Sequence, residues 1–343
     1  MKRVTKIALV GCGRHMQTTL VPYLRRLEGY EVEACVDINE EAAQLVQQLS
    51  HAKQWATDLE DVDLNNVDAA LVALPPQAAY RSTSHLVQQR IACFVEKPPA
   101  STSHEIQELM QLASALEVRV QVGFNFRFAD AMVALHTCAA DHKNDQSVTH
   151  VEFRSKHPSG SEWERDDPVE AWLYHNGIHA LDLLRWMAGE VQQVHASIIY
   201  TQDSKFIIVV LVEHVNKSIS TLKLGTLTDK FELRAELLTP DGYQFSLPNL
   251  GEVLMPLRAG KMSGEVIYRA GNLDNGWRRA GYGPELQDFL DHYQHYSSSS
   301  PSLLDALKAS QFCDAIMRSL QKGTVSQFSS ESFLSPVIYQ EAS

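Results

Sequence analysis

An apolar run of strand length, residues 4–10, passes without a break into Gly11-Cys12-Gly13-Arg14-His15-Met16. From there the chain enters a helical pattern with Leu20, Leu24 and Leu27 on one side. Few folds use the order strand, glycine turn, helix. The glycines permit a tight turn and let a pyrophosphate approach the helix N-terminus, where free N–H groups and the helix dipole favour negative charge. A second strand, residues 32–36, ends at Asp37. An acid about 20 residues beyond such a turn can bond both ribose hydroxyls of an adenosine and repels a 2′-phosphate, so the expectation is NAD rather than NADP. One position departs from the fingerprint: its third, small residue is Met16.

The alternation continues with a helix at 40–49, strands at 54–56 and 67–74, the latter ending at Pro75-Pro76, and a helix at 77–89. A strand at 91–95, a helix at 101–116 and a strand at 118–122 complete the half. This pattern specifies an α/β fold with a doubly wound parallel sheet. Residues 101–103 supply N-caps, with Glu105 near the dipole. The strand at 91–95 runs into Glu96-Lys97-Pro98. Parallel strands present their carboxyl ends to the ligand crevice, so the charged pair falls where such folds do chemistry. Pro98 keeps Lys97 out of the helical region. A lysine there can stabilise an alkoxide or help move a proton. The same pair also fits an ordinary surface ion pair.

From Gly123-Phe124-Asn125-Phe126-Arg127-Phe128 the pattern changes. A helix runs to about residue 139, and polar residues 140–147 mark a boundary. Strand patterns follow at 149–154, 191–200, 206–215, 218–224, 231–238 and 243–247. In residues 231–238 apolar and charged side chains alternate, as in an open sheet with one wet face. The expected organisation is a dinucleotide-binding domain at 1–122, an α+β substrate and oligomerisation domain with a large, mostly antiparallel sheet at 123–325, and a tail at 326–343. The free sheet face is expected to make a homodimer or homotetramer. Helices within 284–322, joined through 297–300, are able to pack back on the first domain.

One helical stretch, residues 168–188, interrupts the β region. His175, His179 and Asp182 fall on one stripe at i, i+4 and i+7. This is either a polar edge or an imidazole oriented by a carboxylate for proton transfer. Nothing nearby completes a zinc site, and no metal is expected.

The 343 residues, 44% of them hydrophobic, suit two cores. There is no apolar run of about 18 residues and no signal-peptide pattern, so a cytoplasmic protein without a membrane partner is expected. Cys12, Cys35, Cys93, Cys138 and Cys313 lack CxxC spacing and read as reduced core residues. A net charge of −12 argues against nucleic acid as a partner.

In this order the pieces resemble the glucose-fructose oxidoreductase and inositol dehydrogenase family (Gfo/Idh/MocA) from residue 4 to about 323. The matching parts are Gly11-Cys12-Gly13, Asp37, Ala73-Leu74-Pro75-Pro76, Glu96-Lys97-Pro98, residues 123–128, Gly177-Ile178-His179-Ala180-Leu181-Asp182 and Glu285-Leu286-Gln287-Asp288-Phe289. The resemblance implies an NAD(P)-dependent oxidoreductase acting on a sugar, polyol or sugar derivative. Lys97 would bond the reacting hydroxyl and His179 would exchange its proton. Cofactor contacts would come from Gly11, Gly13, Arg14, His15, Met16, Asp37, Ile38, Leu74, Pro75, Gln77, Glu96, Lys97 and Arg127. Substrate contacts would come from His175, Asn176, Asn125, Arg154 and Trp172. The chain departs from the family pattern at His175, where an Asp is usual, at Met16, and at Ala79, where a histidine is frequent. These departures leave open a second reading, a catalytically silent dinucleotide-binding sensor. Arg154, Lys156, His157 and Arg165 flank a loop at 158–167 and hint at an acidic or phosphorylated sugar, but Glu162, Glu164, Asp166 and Asp167 among them favour a solvated mixed-charge loop. Trp163 and Trp172 either stack on a sugar ring or belong to the core.

Overall fold

The structure, a computed structural model, describes residues 4–140, 146–156, 163, 165–201, 203–255, 265–269, 276–294 and 300–328. His157, most of the 158–167 loop, the linker at 297–299 and the tail beyond 328 lie outside the described residues.

The first half forms a six-stranded, wholly parallel sheet of β1 (Thr5–Val10), β2 (Tyr30–Val36), β3 (Gln54–Ala56), β4 (Ala69–Val72), β5 (Ala92–Glu96) and β6 (Val120–Gly123). Its order is β3-β2-β1-β4-β5-β6, which places the topological switch point between β1 and β4. The crossovers include α1 (Val21–Leu24), α2 (Glu40–Ser50), α3 (Pro76–Gln88) and α4 (Ser103–Ala115). Thr102 and Glu105 form a capping box at the start of α4, fixing its entry. The central strand β1 is buried on both faces, and its alternation divides two cores. Ala8 and Val10 face the cluster shared with the second half of the chain, while Ile7 and Leu9 face a separate one.

After α5 (Asp130–Ala140), β7 (Val148–Arg154) opens the second sheet. The long predicted helix resolves into α6 (Pro168–Trp172), a π-turn at Leu173–Gly177 and α7 (Ile178–Ala188). Asp167 caps α6 by accepting from the Val169 and Glu170 amides. Strands β8 (Val191–Tyr200), β9 (Phe206–His214), β10 (Ile219–Gly225), β11 (Glu232–Leu238), β12 (Gln244–Asn249), β13 (Glu252–Met255) and β14 (Glu265–Arg269) follow. Helices α8 (Tyr282–His292) and α9 (Leu303–Lys322) and a short β15 (Ser326–Gln327) end the described chain. The nine strands run β14-β13-β12-β11-β7-β10-β9-β8-β15. Only the β7–β10 pair is parallel. The architecture is therefore a Rossmann-type parallel sheet beside a large, mostly antiparallel one.

The two C-terminal helices join the halves. Leu286 and Phe289 of α8 fill the smaller core under the first sheet, with the Phe289 ring 5.9 Å from that of Phe94 on β5. Ser310, Cys313 and Asp314 of α9 meet Tyr174 and Leu173 of the π-turn, and Ser103 of α4 also bonds Asp314. These contacts clamp the first sheet and the π-turn against one another.

Candidate active site

A cavity of roughly 690 Å³ opens where the first sheet's carboxyl ends face the second sheet. Its floor comes from four strand ends: Gly13, Arg14 and His15 after β1, Ala73, Leu74 and Pro75 after β4, Glu96 and Lys97 at β5, and Asn125 after β6. Its far wall holds Phe153 of β7, Trp163, His175 and Asn176 of the π-turn, His179 of α7, Phe231 and Leu250. Arg279, Ala280 and Tyr282 close it from the segment leading into α8.

The glycine turn fits a dinucleotide. Gly11 has φ +86°, and a Cβ there would lie 2.3 Å from the Ala73 carbonyl oxygen, so only glycine lets β1 and β4 approach. A Cβ at Gly13 would meet nothing within 4 Å, leaving its face open to a ligand. Asp37 closes the turn, its two carboxylate oxygens accepting from the Cys12 amide at 2.7 Å and the Asn39 amide at 2.8 Å. Met16 is corrected as a cofactor contact: its side chain is fully buried in the smaller core. The helix widens into a π-turn at Met16–Leu20, where that bulk is accommodated.

At β5, Lys97 Nζ donates to the His175 carbonyl at 2.6 Å, crossing from the first sheet to the π-turn. Glu96 accepts from or pairs with His15 Nε2 at 3.0 Å. The Tyr282 ring meets His15 edge-on at 5.6 Å and stacks on Tyr23 at 5.9 Å. His179 is only 8% exposed and packed by Phe126 at 5.0 Å, Phe124 at 6.2 Å and Phe153 at 6.5 Å. Burial, with Lys97, His175 and His15 nearby, holds its pKa well below the ordinary imidazole range, so the ring is neutral and able to accept a proton. Its Nδ1 is buried without a hydrogen-bond partner among the described residues. Asp182 does not orient it. That carboxylate is bound by Arg127, Nε at 2.7 Å and Nη2 at 2.5 Å, because Arg127 turns away from the cavity to link α7 with Asp305 of α9.

Arg127 is thus a buried structural cation, not a cofactor contact. Arg154 is also displaced from the site by strand alternation. Phe153 faces the cavity, so Arg154 points to the opposite face of the sheet, where Glu152 and Glu232 pair with it. Trp172 is fully buried against Phe153 and Phe206, its Nε1 bonded to the Ser155 carbonyl. Arg165 stacks on Tyr174 at 3.6 Å and binds Glu170 and the Ser101 carbonyl. Gln77 is exposed in the first turn of α3, and Ile38 is 95% exposed beyond Asp37. Neither is among the residues lining the cavity. Trp163 does line it, 4.4 Å from the His175 ring. Arg279, Tyr282 and the aromatic wall were not read from the sequence. Only the glycine-rich approach to α8 marks the first two. Among the described residues, no three His, Cys, Asp or Glu side chains converge on a metal site.

The fold and this cleft define a class: a dinucleotide-dependent oxidoreductase whose second sheet closes over the crevice of a Rossmann domain. Residues 5–124 match the model of the Gfo/Idh/MocA oxidoreductase family, which describes an NAD-binding Rossmann fold. The chain is 24% identical over 335 residues to the inositol 2-dehydrogenase/D-chiro-inositol 3-dehydrogenase of Shouchella clausii, covering 93% of this chain and 92% of that protein. A dehydrogenase from Chromobacterium violaceum superposes with a TM-score of 0.84 at 24% identity, over 94% of this chain and 96% of the other. An oxidoreductase from Agrobacterium radiobacter, solved with NAD+, L-tartaric acid and magnesium, gives 0.80 at 16% identity, over 94% and 98%. The two structural likenesses establish the shared fold.

Proposed function

We propose that the chain is an NAD-dependent oxidoreductase that moves a hydride between nicotinamide and the hydroxyl- or carbonyl-bearing carbon of a polyol or sugar. The observation that supports it best is the convergence of Lys97, His179 and the glycine turn residues Gly13 and Arg14 on one cavity, with Asp37 bonded to the Cys12 amide of that turn. Gly11, Gly13, Arg14 and Asp37 would hold the dinucleotide, which when bound supplies the hydride acceptor or donor. Lys97, anchored by its bond to the His175 carbonyl, would stabilise the oxygen that becomes an alkoxide. His179, kept neutral, would take the hydroxyl proton in oxidation and return it in reduction. Phe126 and Phe153 exclude water around that transfer.

The Lys97→Met variant tests this reading. NAD reduction with a polyol or sugar substrate should fall by at least about 10²-fold, the scale of a lost acid–base group, while stabilisation by NADH persists. Turnover unchanged by the substitution would refute it. A wild-type protein that binds NADH but turns over no hydroxyl compound would leave the silent binding protein.

Assembly is part of the same proposal. Val148, Ile199, Val209, Leu211, Ile219 and Leu238 share the open face of the second sheet by register, and all are exposed. An apolar strip of this kind would be covered in a homodimer or homotetramer. Light scattering at micromolar concentration should give a mass above the 38.4 kDa of one chain. A monomer would remove the idea. A reducing, cytoplasmic setting is supported by five free cysteines, four of them buried.

A further inference from the structure

We infer that the substrate is anionic: a polyhydroxy compound bearing a carboxylate or a phosphate, its charge met by Arg279 and His175 and a hydroxyl met by Asn125. This rests on the oxidoreductase reading and narrows it.

Charge in the cavity runs against the charge of the chain. The protein carries −12, yet Arg14, Lys97 and Arg279 line the cleft together with His15, His175 and His179. Glu96 is the only carboxylate among the described lining residues, and it is engaged by His15. A cleft of one sign raises the local concentration of the opposite ion. Arg14 belongs to the glycine turn, where a dinucleotide's pyrophosphate would neutralise it. Lys97 is committed to the reacting oxygen. Arg279 remains, exposed and without an ion pair or hydrogen bond among the described residues.

Arg279 is held in place by its neighbour. Asn125 Nδ2 donates to the Ala280 carbonyl at 2.6 Å, and a Cβ at Gly281 would lie 1.8 Å from the Asn125 carbonyl oxygen, so the segment is pressed onto Asn125. The guanidinium reaches over the β12–β13 turn, with Nη2 3.6 Å from where a Gly251 Cβ would sit. The same Asn125 supplies the second, independent observation. It is 1% exposed and lines the cavity, and its Oδ1 has no hydrogen-bond partner among the described residues. A buried acceptor so placed calls for a donor from the ligand, and a hydroxyl supplies one. His175 extends the argument. An imidazole, backed by Trp163 at 4.4 Å, accepts an anionic neighbour that a carboxylate at this position would repel.

A matched trio, glucose, gluconate and glucose 6-phosphate, and a matched pair, myo-inositol and its monophosphate, test the inference. Each is assayed for NAD reduction and, by calorimetry, for binding to NADH-loaded protein. At least one anionic member should exceed its neutral parent by about tenfold in kcat/KM or affinity, the value of one charge-assisted contact. Which one does so distinguishes carboxylate from phosphate. Arg279→Gln should abolish the preference through KM, Arg279→Lys should restore part of it, and NADH stabilisation should stay unchanged in both. Neutral parents used as well as or better than the anions would overturn the inference while leaving the oxidoreductase reading intact. A preference that survives Arg279→Gln, or no interaction with any anion, overturns it equally. Anion binding without turnover of any compound would uphold it and sink the oxidoreductase reading instead.

Discussion

Glu285 gives a stability prediction whose size follows from one proton. The residue lies in the first turn of α8, is 0% exposed, and neither carboxylate oxygen has a hydrogen-bond partner among the described residues. Burial first, then the nearby Glu96, Asp288 and Asp182 carboxylates, push its pKa well above the ordinary range, so in the fold it is a neutral acid. In the unfolded chain it ionises near 4.3. The folded state therefore holds one more proton than the unfolded state at any pH between those two values. Stability from this group is complete below the unfolded pKa and is lost as pH rises toward the folded one, at about 1.4 kcal/mol per pH unit. Glu285→Gln is neutral at every pH and removes that slope. In urea unfolding at pH 5 and pH 6, the variant should gain about 1.4 kcal/mol on the wild type over the interval. A difference that stays constant, or that shifts toward the wild type as pH rises, would show that Glu285 is ionised in the fold and refute the reasoning.

Two further outcomes follow from the same electrostatics. Arg127→Met leaves Asp182, 1% exposed, without its bidentate partner, and Arg185 stands 3.9 Å away as a partial substitute. Urea unfolding should show a loss of about 3–5 kcal/mol, and a loss below about 1 kcal/mol would mean that the network is not holding α7 and α9 together. For His179, kcat/KM for oxidation should stay level as pH falls through 6.5, where an ordinary imidazole would already be protonating, because burial and Lys97 depress its pKa. A half-maximal pH at or above 6.5 would contradict a neutral, desolvated base.

The parallel sheet was legible because its strands other than the short edge strand β3 are largely buried on both faces, and most of them close near a glycine, proline or charged residue. Val10 before Gly11 and Val36 before Asp37 each end a strand at the crevice, as Glu96 does before Lys97. Strand ends also point at a common edge by topology, so Lys97, Glu96 and the glycine turn could be placed in one cleft from local pattern alone. What failed depended on direction. Nothing local to Arg154 says which face of β7 it takes, and a one-residue change of parity separates the cavity from the open face. Arg127 and Asp182 are 55 residues apart and each looks like site chemistry until the pair is seen. Arg279 and Tyr282 were missed because their place depends on α8 packing back under the first sheet, a long-range contact with no periodic signal.

The bond from Lys97 to residue 175 uses the main-chain oxygen, not the side chain. The lysine's placement is therefore indifferent to which amino acid occupies that position, provided the π-turn keeps its path. Anchorage and selectivity are separable at the lysine: exchanging residue 175 to suit a different partner molecule leaves the main-chain anchor of Lys97 in place, while the charge beside His179 changes with it. For an engineer this makes 175 the first position to randomise.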